Sequence, residues 1–117
     1  VYPADHPLSV SQNMHWSWTQ GYIFLKMEGR YDSDNDGVVE ATDNTFAYHC
    51  TSDALRRDVE LEVHQDALSG GALVIDLDLD LANIISPVDI QSIPFAEGAD
   101  PLNRTMMDSL ATAITLP

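Results

Sequence analysis

Ile75-Asp76-Leu77-Asp78-Leu79-Asp80-Leu81 is the stretch that decides the fold class. Successive side chains of a strand point to opposite faces, so its unbroken period of two puts the aliphatics on one face and the carboxylates on the other. Val59, Leu61 and Val63 alternate with Glu60, Glu62 and His64 in the same way, and Gly70-Gly71 marks a turn between the two runs. Tyr22, Phe24 and Lys26 alternate with Ile23, Leu25 and Met27, which predicts a strand buried on both faces near its middle. Thr45 to Cys50 reads as a short strand by its aromatic and β-branched content. Residues 1–13, with Pro3 and Pro7, and residues 94–102 read as loops. Asn103 to Thr115 predicts a helix with Met106, Met107, Leu110 and Ile114 along one side. Its cap is Asn103, or Asp100 with Pro101 at the first helical position. The expected fold is mostly β: an antiparallel β-sandwich with a short C-terminal helix, one domain over residues 1–117.

The charge narrows the function. Five Lys and Arg stand against 19 Asp and Glu, a formal charge of −14. Proteins that bind nucleic acid place cations against phosphates, and this chain has too few. An anionic membrane face is excluded for the same reason. No apolar run approaches the ~18 residues that span a bilayer. A surface this acidic attracts cations. Cys50 is the single cysteine, so no intrachain disulfide can form and the compartment is not decided by cysteine usage. The chain opens Val1-Tyr2-Pro3, which reads as a processed form or a fragment.

Between the two central strands lies Asp32-Ser33-Asp34-Asn35-Asp36-Gly37-Val38-Val39-Glu40-Ala41-Thr42-Asp43, with acids at loop positions 1, 3, 5, 9 and 12 and Gly at 6. Calcium takes six to eight oxygens at about 2.3–2.6 Å. Alternate Asp side chains converge on such an ion only if the chain turns tightly, and Gly37 permits that turn. The expected ligands are Asp32, Asp34, Asp36, the Val38 carbonyl, Glu40 (directly or through a water) and Asp43 as the closing carboxylate. Strands rather than helices flank the loop, which resembles those of extracellular dockerin-type modules more than those of cytosolic sensors. The ion would staple a hairpin. The plain alternative is a solvated acidic hairpin tip.

Residues 14–24 gather both tryptophans, Trp16 and Trp18, with Met14, His15, Tyr22 and Phe24. Core packing or an interface is the default reading of such a cluster. Imidazole suits copper, zinc or iron, and rings from separate strands can form a site with no local spacing motif. Of His6, His15, His49 and His64, His49 at the end of an aromatic strand is the strongest ligand candidate, and His64 reads as a solvated strand residue. Cys50 reads as a buried thiol more readily than as a soft ligand. No nucleophile elbow, phosphate-cradling loop, Cys-x-x-Cys or His-Glu-x-x-His occurs. Asp76, Asp78 and Asp80 suit a charged surface ladder rather than an acid–base pair.

Pro7-Leu8, then Met14-His15-Trp16-Ser17-Trp18-Thr19-Gln20-Gly21-Tyr22 on to Gly29, and then Phe46-Ala47-Tyr48-His49 resemble the signature of the MbnP-like periplasmic copper proteins. This methanobactin-associated family is related to the MopE and CorA copper proteins. The likeness spans most of residues 7–85, and Trp-x-Trp-x-x-Gly-Tyr is its specific part. The resemblance implies an exported β-sandwich, periplasmic or extracellular, that binds copper through two His. By position these are His49, with His15 and His6 after it. It also implies oxidation of a tryptophan, Trp16 or Trp18, to kynurenine by a di-haem partner of the MauG type. Kynurenine offers an amino nitrogen and a ketone oxygen that an indole lacks. The chain departs from the pattern at Ile23, where Lys is usual, and at Cys50-Thr51-Ser52-Asp53, where the family's disulfide has no second cysteine. The acidic loop reads as an insertion. Family domains carry strands upstream of Pro7-Leu8, so the expectation here is a domain short of those strands, completed by another chain or processed.

Two functions follow. The first is an exported, non-enzymatic metal-binding protein with copper at a His/Trp cluster and calcium in the loop. The second is a calcium-stabilised extracellular assembly module without a transition metal, in which unpaired strand edges meet further copies or a completing chain.

Overall fold

The computed structural model describes residues 2–17, 19–64 and 70–117. Strands β1 (His15–Ser17), β2 (Gly21–Arg30), β3 (Thr45–Thr51), β4 (Asp78–Leu79), β5 (Phe95–Glu97) and β6 (Ile114–Thr115) combine with helices α1 (Leu81–Ile85) and α2 (Pro101–Ala113). One sheet runs in the order β1-β2-β3-β5, and a two-stranded ladder joins β4 to β6. The β2–β3 hairpin is the backbone of the sheet, antiparallel from Arg30↔Thr45 to Ile23↔Thr51. β5 lies parallel to β3, so the sheet is mixed.

Alternation along this hairpin sorts the side chains into two faces. Leu25, Met27 and Gly29 stand opposite Cys50, Tyr48 and Phe46, and Tyr48 also faces Ala96. A Cβ at Gly29 would come within 2.9 Å of the far end of the Phe46 ring, so a larger residue there must displace that ring. This face packs against α2, which buries Asn103, Met106, Met107 and Ala113; Leu55 and Ile84 complete the core. The other face carries Lys26 and Glu28 on β2, His49 on β3 and Glu97 on β5.

The helix expected over 103–115 begins earlier. Asp100 is its cap, its carboxylate accepting the Leu102 N–H at 2.9 Å, with Pro101 at the first turn. The helix stops at Ala113, and Ile114–Thr115 extends into β6. Residues 94–102, expected as a loop, contain β5: Phe95–Glu97 adds to the free edge of β3.

The strands expected at 59–63 and 75–81 are the main difference. Residues 56–64 have no regular structure, and among the described residues the pairing of the second run is that of Asp78 and Leu79 with Thr115 and Ile114. The aliphatics from Leu73 to Leu81 lie exposed, Leu77 at 55 %. Alternation states which side chains share a face. It does not supply the neighbouring chain whose N–H and C=O groups a strand must meet. Asp80 leaves the acid row altogether and caps α1 by accepting the Asn83 N–H at 3.1 Å. The chain is therefore mostly strand with a short C-terminal helix. The layer over the buried face of the sheet is α2, not a second sheet. The radius of gyration, 17.3 Å, exceeds the about 13 Å of a compact chain of this length, in keeping with segments that stand clear of the core. No described helix is long and apolar enough to cross a membrane.

These placements predict opposite outcomes for two truncations. Met106→Ala removes a fully buried side chain and should cost about 2–5 kcal/mol in urea unfolding. Leu77→Ala should stay within about 0.5 kcal/mol. A Leu77→Ala loss as large as that of Met106→Ala would place residues 73–81 in a packed layer.

Candidate functional site

His49 sits at the centre of the open face, and its backbone is held from the opposite side. Its carbonyl accepts the Gly98 N–H at 3.1 Å and the Asn103 side-chain amide, also at 3.1 Å. Asn103 is fully buried and donates as well to the Gly98 carbonyl at 2.9 Å. A buried amide from α2 thereby ties the β3 residue that carries the imidazole to the turn after β5.

The ring itself lies among carboxylates and an indole. Its Nε2 is 2.6 Å from Glu28 Oε1, and Lys26 Nζ reaches the same oxygen at 3.4 Å. The hydrogen bond from His49 holds the Glu28 carboxyl below its ordinary pKa; burial works against this, and the Lys26 charge supports it. On the other side, His49 Nδ1 is 4.0 Å from Glu97 Oε1, and this nitrogen is buried without a hydrogen bond. Lys26 and Glu97 are the residues that pair with His49 across the sheet, and Glu28 is two residues along β2 from Lys26.

Trp16 completes the cluster, its ring centroid 5.0 Å from that of His49. The register passes from His15↔Tyr22 to Ser17↔Gly21, which leaves Trp16 as the extra residue of a β-bulge. It is 45 % exposed, so the default core reading fails for this tryptophan. Trp18 lies outside the described residues. Beside Trp16 a cleft of about 600 Å³ is lined by Leu8, Val10, His15, Ser17 and Tyr22 among others.

The other candidate imidazoles are engaged elsewhere. His15 meets the edge of Tyr22 with ring centroids 5.1 Å apart. His6 stacks on Tyr2 at 4.0 Å and accepts the Leu8 N–H at 3.1 Å, so it braces the N-terminal turn. His64 pairs with Glu62 at 2.9 Å on an exposed segment. His6, His15 and His49 do not form a three-membered group: among the described residues the His, Cys, Asp or Glu side chains grouped in threes or more with ligand atoms all within 4.8 Å are Asp32, Asp34 and Asp36. Cys50 lies on the core face, fully buried, and burial pushes its thiol pKa up to about 11. It is an inert core thiol on the side of the sheet away from His49.

The acidic loop closes the β2–β3 hairpin. Asp32 accepts the Asp36 N–H at 3.1 Å and the Gly37 N–H at 2.8 Å, and Asp36 accepts the Val38 N–H at 2.8 Å. Gly37 has φ +90°, a left-handed conformation that suits glycine. Oxygens of Asp32, Asp34 and Asp36 within 4.8 Å of one another fit an ion whose ligand distance is about 2.3–2.6 Å. Glu40 and Asp43 stand outside this trio. Asp43 is a clasp: Oδ1 accepts the Ser33 N–H at 3.0 Å and its hydroxyl at 2.9 Å, and Oδ2 accepts the Glu40 N–H at 2.8 Å. Thr42 Oγ1 donates to Glu40 at 2.7 Å. Val38 is exposed.

Sequence reasoning named His49 and Trp16 but missed Glu28, Glu97 and Asn103. Glu28 was visible within the Lys26-Met27-Glu28-Gly29 run, yet its meeting with residue 49 depends on the hairpin register. Nothing local in the sequence signals that Asn103 is buried.

The described residues thus form a mostly-strand domain in which a mixed sheet is sealed on one face by a helix and carries an imidazole, carboxylates and an indole on the other. The MbnP family model matches residues 3–107, and the chain belongs to the MbnP family. Comparison with curated proteins and with solved structures returned no match. Membership is consistent with a methanobactin-associated, metal-related periplasmic protein.

The Asp43 clasp predicts an acid limit for the loop. The N–H groups of Glu40 and Ser33 stabilise its carboxylate and hold its pKa below the ordinary value, with burial opposing. A carboxyl with a lowered folded-state pKa contributes stability that is full above the unfolded value of about 3.9 and vanishes as pH falls through the lowered one. Amide exchange at Ser33 and Glu40 should stay protected down to about pH 4 and rise below it. Asp43→Asn should abolish this pH dependence; an unchanged profile in Asp43→Asn would remove the clasp.

Proposed function

We propose that this MbnP-family chain is an exported metal-binding protein, not an enzyme, that takes copper at His49 beside Trp16 and calcium at the Asp32, Asp34, Asp36 loop. The observation that carries the copper reading is the half-exposed Trp16 indole lying 5.0 Å from a His49 ring that keeps a buried nitrogen without a hydrogen bond. Those residues suit the metal that the family implies. His49 binds, Trp16 shields one side, and the neighbouring acids balance cationic charge. When bound, copper would supply an electron-transfer or carrier centre. Trp16 or Trp18 would be the residue oxidised to kynurenine by a di-haem partner of the MauG type; the product gains an oxygen and loses a carbon, which intact mass detects. His15, in edge contact with Tyr22, and His6, stacked on Tyr2, rank behind His49 as ligands. Family membership supports a periplasmic or extracellular setting.

Calcium would relieve the repulsion among the loop carboxylates and staple the turn between β2 and β3. Asp32, Asp34 and Asp36 supply side-chain oxygens, with the Val38 carbonyl and Glu40 completing the shell, while Asp43 shapes the loop behind them.

The exposed aliphatic row from Leu73 to Leu81 favours one further reading. A strand-patterned segment with most of its length unpaired would gain a second sheet, and with it the sandwich, through another chain. Sedimentation of the calcium-loaded protein separates the readings, since a monomer that binds copper leaves the assembly module without support.

Copper titration of the purified protein should give binding tighter than micromolar, weakened at least tenfold by His49→Ala. Micromolar or weaker binding that His49→Ala leaves alone overturns the copper assignment. A calcium level about a hundredfold over Kd should add about 2.7 kcal/mol of stability, lost to a chelator and more strongly at low salt. An unchanged melting temperature on chelation overturns the calcium assignment.

A further inference from the structure

The two carboxylates beside His49 do not have equivalent roles, and this inference rests on the copper reading above. We infer that His49 meets its metal through Nδ1, that Glu97 supplies the adjoining carboxylate ligand, and that Glu28 is a positioning residue that keeps the proton on Nε2.

A neutral imidazole carries one N–H and one lone pair. An ionised carboxylate only accepts, so the 2.6 Å contact to Glu28 Oε1 requires Nε2 to be the protonated nitrogen. The lone pair is then on Nδ1, the atom that is buried and has no hydrogen-bond partner. Glu97 Oε1, 4.0 Å from Nδ1, is too far to take a hydrogen bond. It is close enough to share an ion, because metal–nitrogen and metal–oxygen bonds of about 2.0–2.2 Å allow donors up to about 4.2 Å apart. The strand register supports the division. Glu97 is the parallel partner of His49, so both project from one face, whereas Glu28 lies diagonally and is also tethered by Lys26 at 3.4 Å. The Glu97 side chain is more exposed than that of Glu28, 68 % against 47 %, which leaves it free to close on an ion. A carboxylate on the outer nitrogen and a metal on the inner one is the arrangement by which outer partners fix a ligand's tautomer and raise its basicity.

Long-range proton–nitrogen NMR of ring-labelled, metal-free protein at mildly alkaline pH tests the tautomer without any metal. Nε2 should carry the proton in the wild type, and Glu28→Leu should relax this toward a mixture. A wild-type ring protonated at Nδ1, or at both nitrogens, overturns the role of Glu28. Added Zn(II) should then shift the Nδ1 resonance; a shift of Nε2 instead overturns the donor assignment. In Cu(II) titrations Glu97→Gln should weaken binding at least tenfold with the metal-free ring signals unchanged, and Glu28→Leu should weaken it about 10–100-fold. Wild-type copper binding that Glu97→Gln leaves intact overturns Glu97 as a ligand alone. No copper binding by the wild type overturns the copper reading and takes the Glu97 role with it, while the tautomer signal still decides Glu28.

Discussion

The buried side-chain amide of Asn103 is the interaction on which the open face depends. It spends both amide hydrogens on the backbone, one on the His49 carbonyl and one on the Gly98 carbonyl. Those groups lie where helix, central strand and edge strand meet, and no water is available inside a core to replace a lost donor. Gly98 returns a hydrogen bond to the same His49 carbonyl. β5 is only three residues long, and two bonds on one carbonyl hold its end against β3. The helix that seals the hydrophobic face thus sets the height and direction of the imidazole on the polar face. Tyr48 and Cys50, on either side of His49 in sequence, are fully buried and anchor β3 to the core.

What the sequence makes legible here is local. The β2–β3 hairpin follows from alternation and aromatic content, and its acidic loop from fixed offsets around Gly37. Asp100-Pro101 marks the true start of α2, because an N-cap and a proline at the first turn act through their own backbone neighbours. Pairing is another matter. Ile75 to Leu81 has a cleaner period of two than β2, yet only two of its residues find a partner among the described residues, because β-pairing is a property of two segments. β5 shows the converse: three residues with no pattern become a strand because β3 offers an edge.

The candidate site divides along the same line. His49 and Trp16 stand out by residue type. His15, adjacent to Trp16, ranks behind His49 in sequence, and its edge-on contact with Tyr22 beside the bulge at Trp16 is a placement that only the strand register reveals. Glu28 and Glu97 become neighbours of His49 only when an antiparallel register on one side and a parallel register on the other are both known. Those registers are set by the core face, through Met27, Tyr48 and Ala96, whose side chains never touch the site.

The acidic loop and the imidazole cluster lie on one ladder. Arg30 pairs with Thr45 where the loop begins and ends, and Arg30 also reaches the Asp43 carbonyl at 2.7 Å. His49 is four residues further along β3, about 13 Å of strand. Loop closure is the entropic cost of any hairpin, and a cation that holds the loop would reduce it for every pair above, including Lys26 with His49. With 19 acids against five basic side chains, that cost includes charge repulsion that only cations or salt can screen. A calcium ion at the turn and a copper ion at His49 would therefore act on the same β2–β3 pairing.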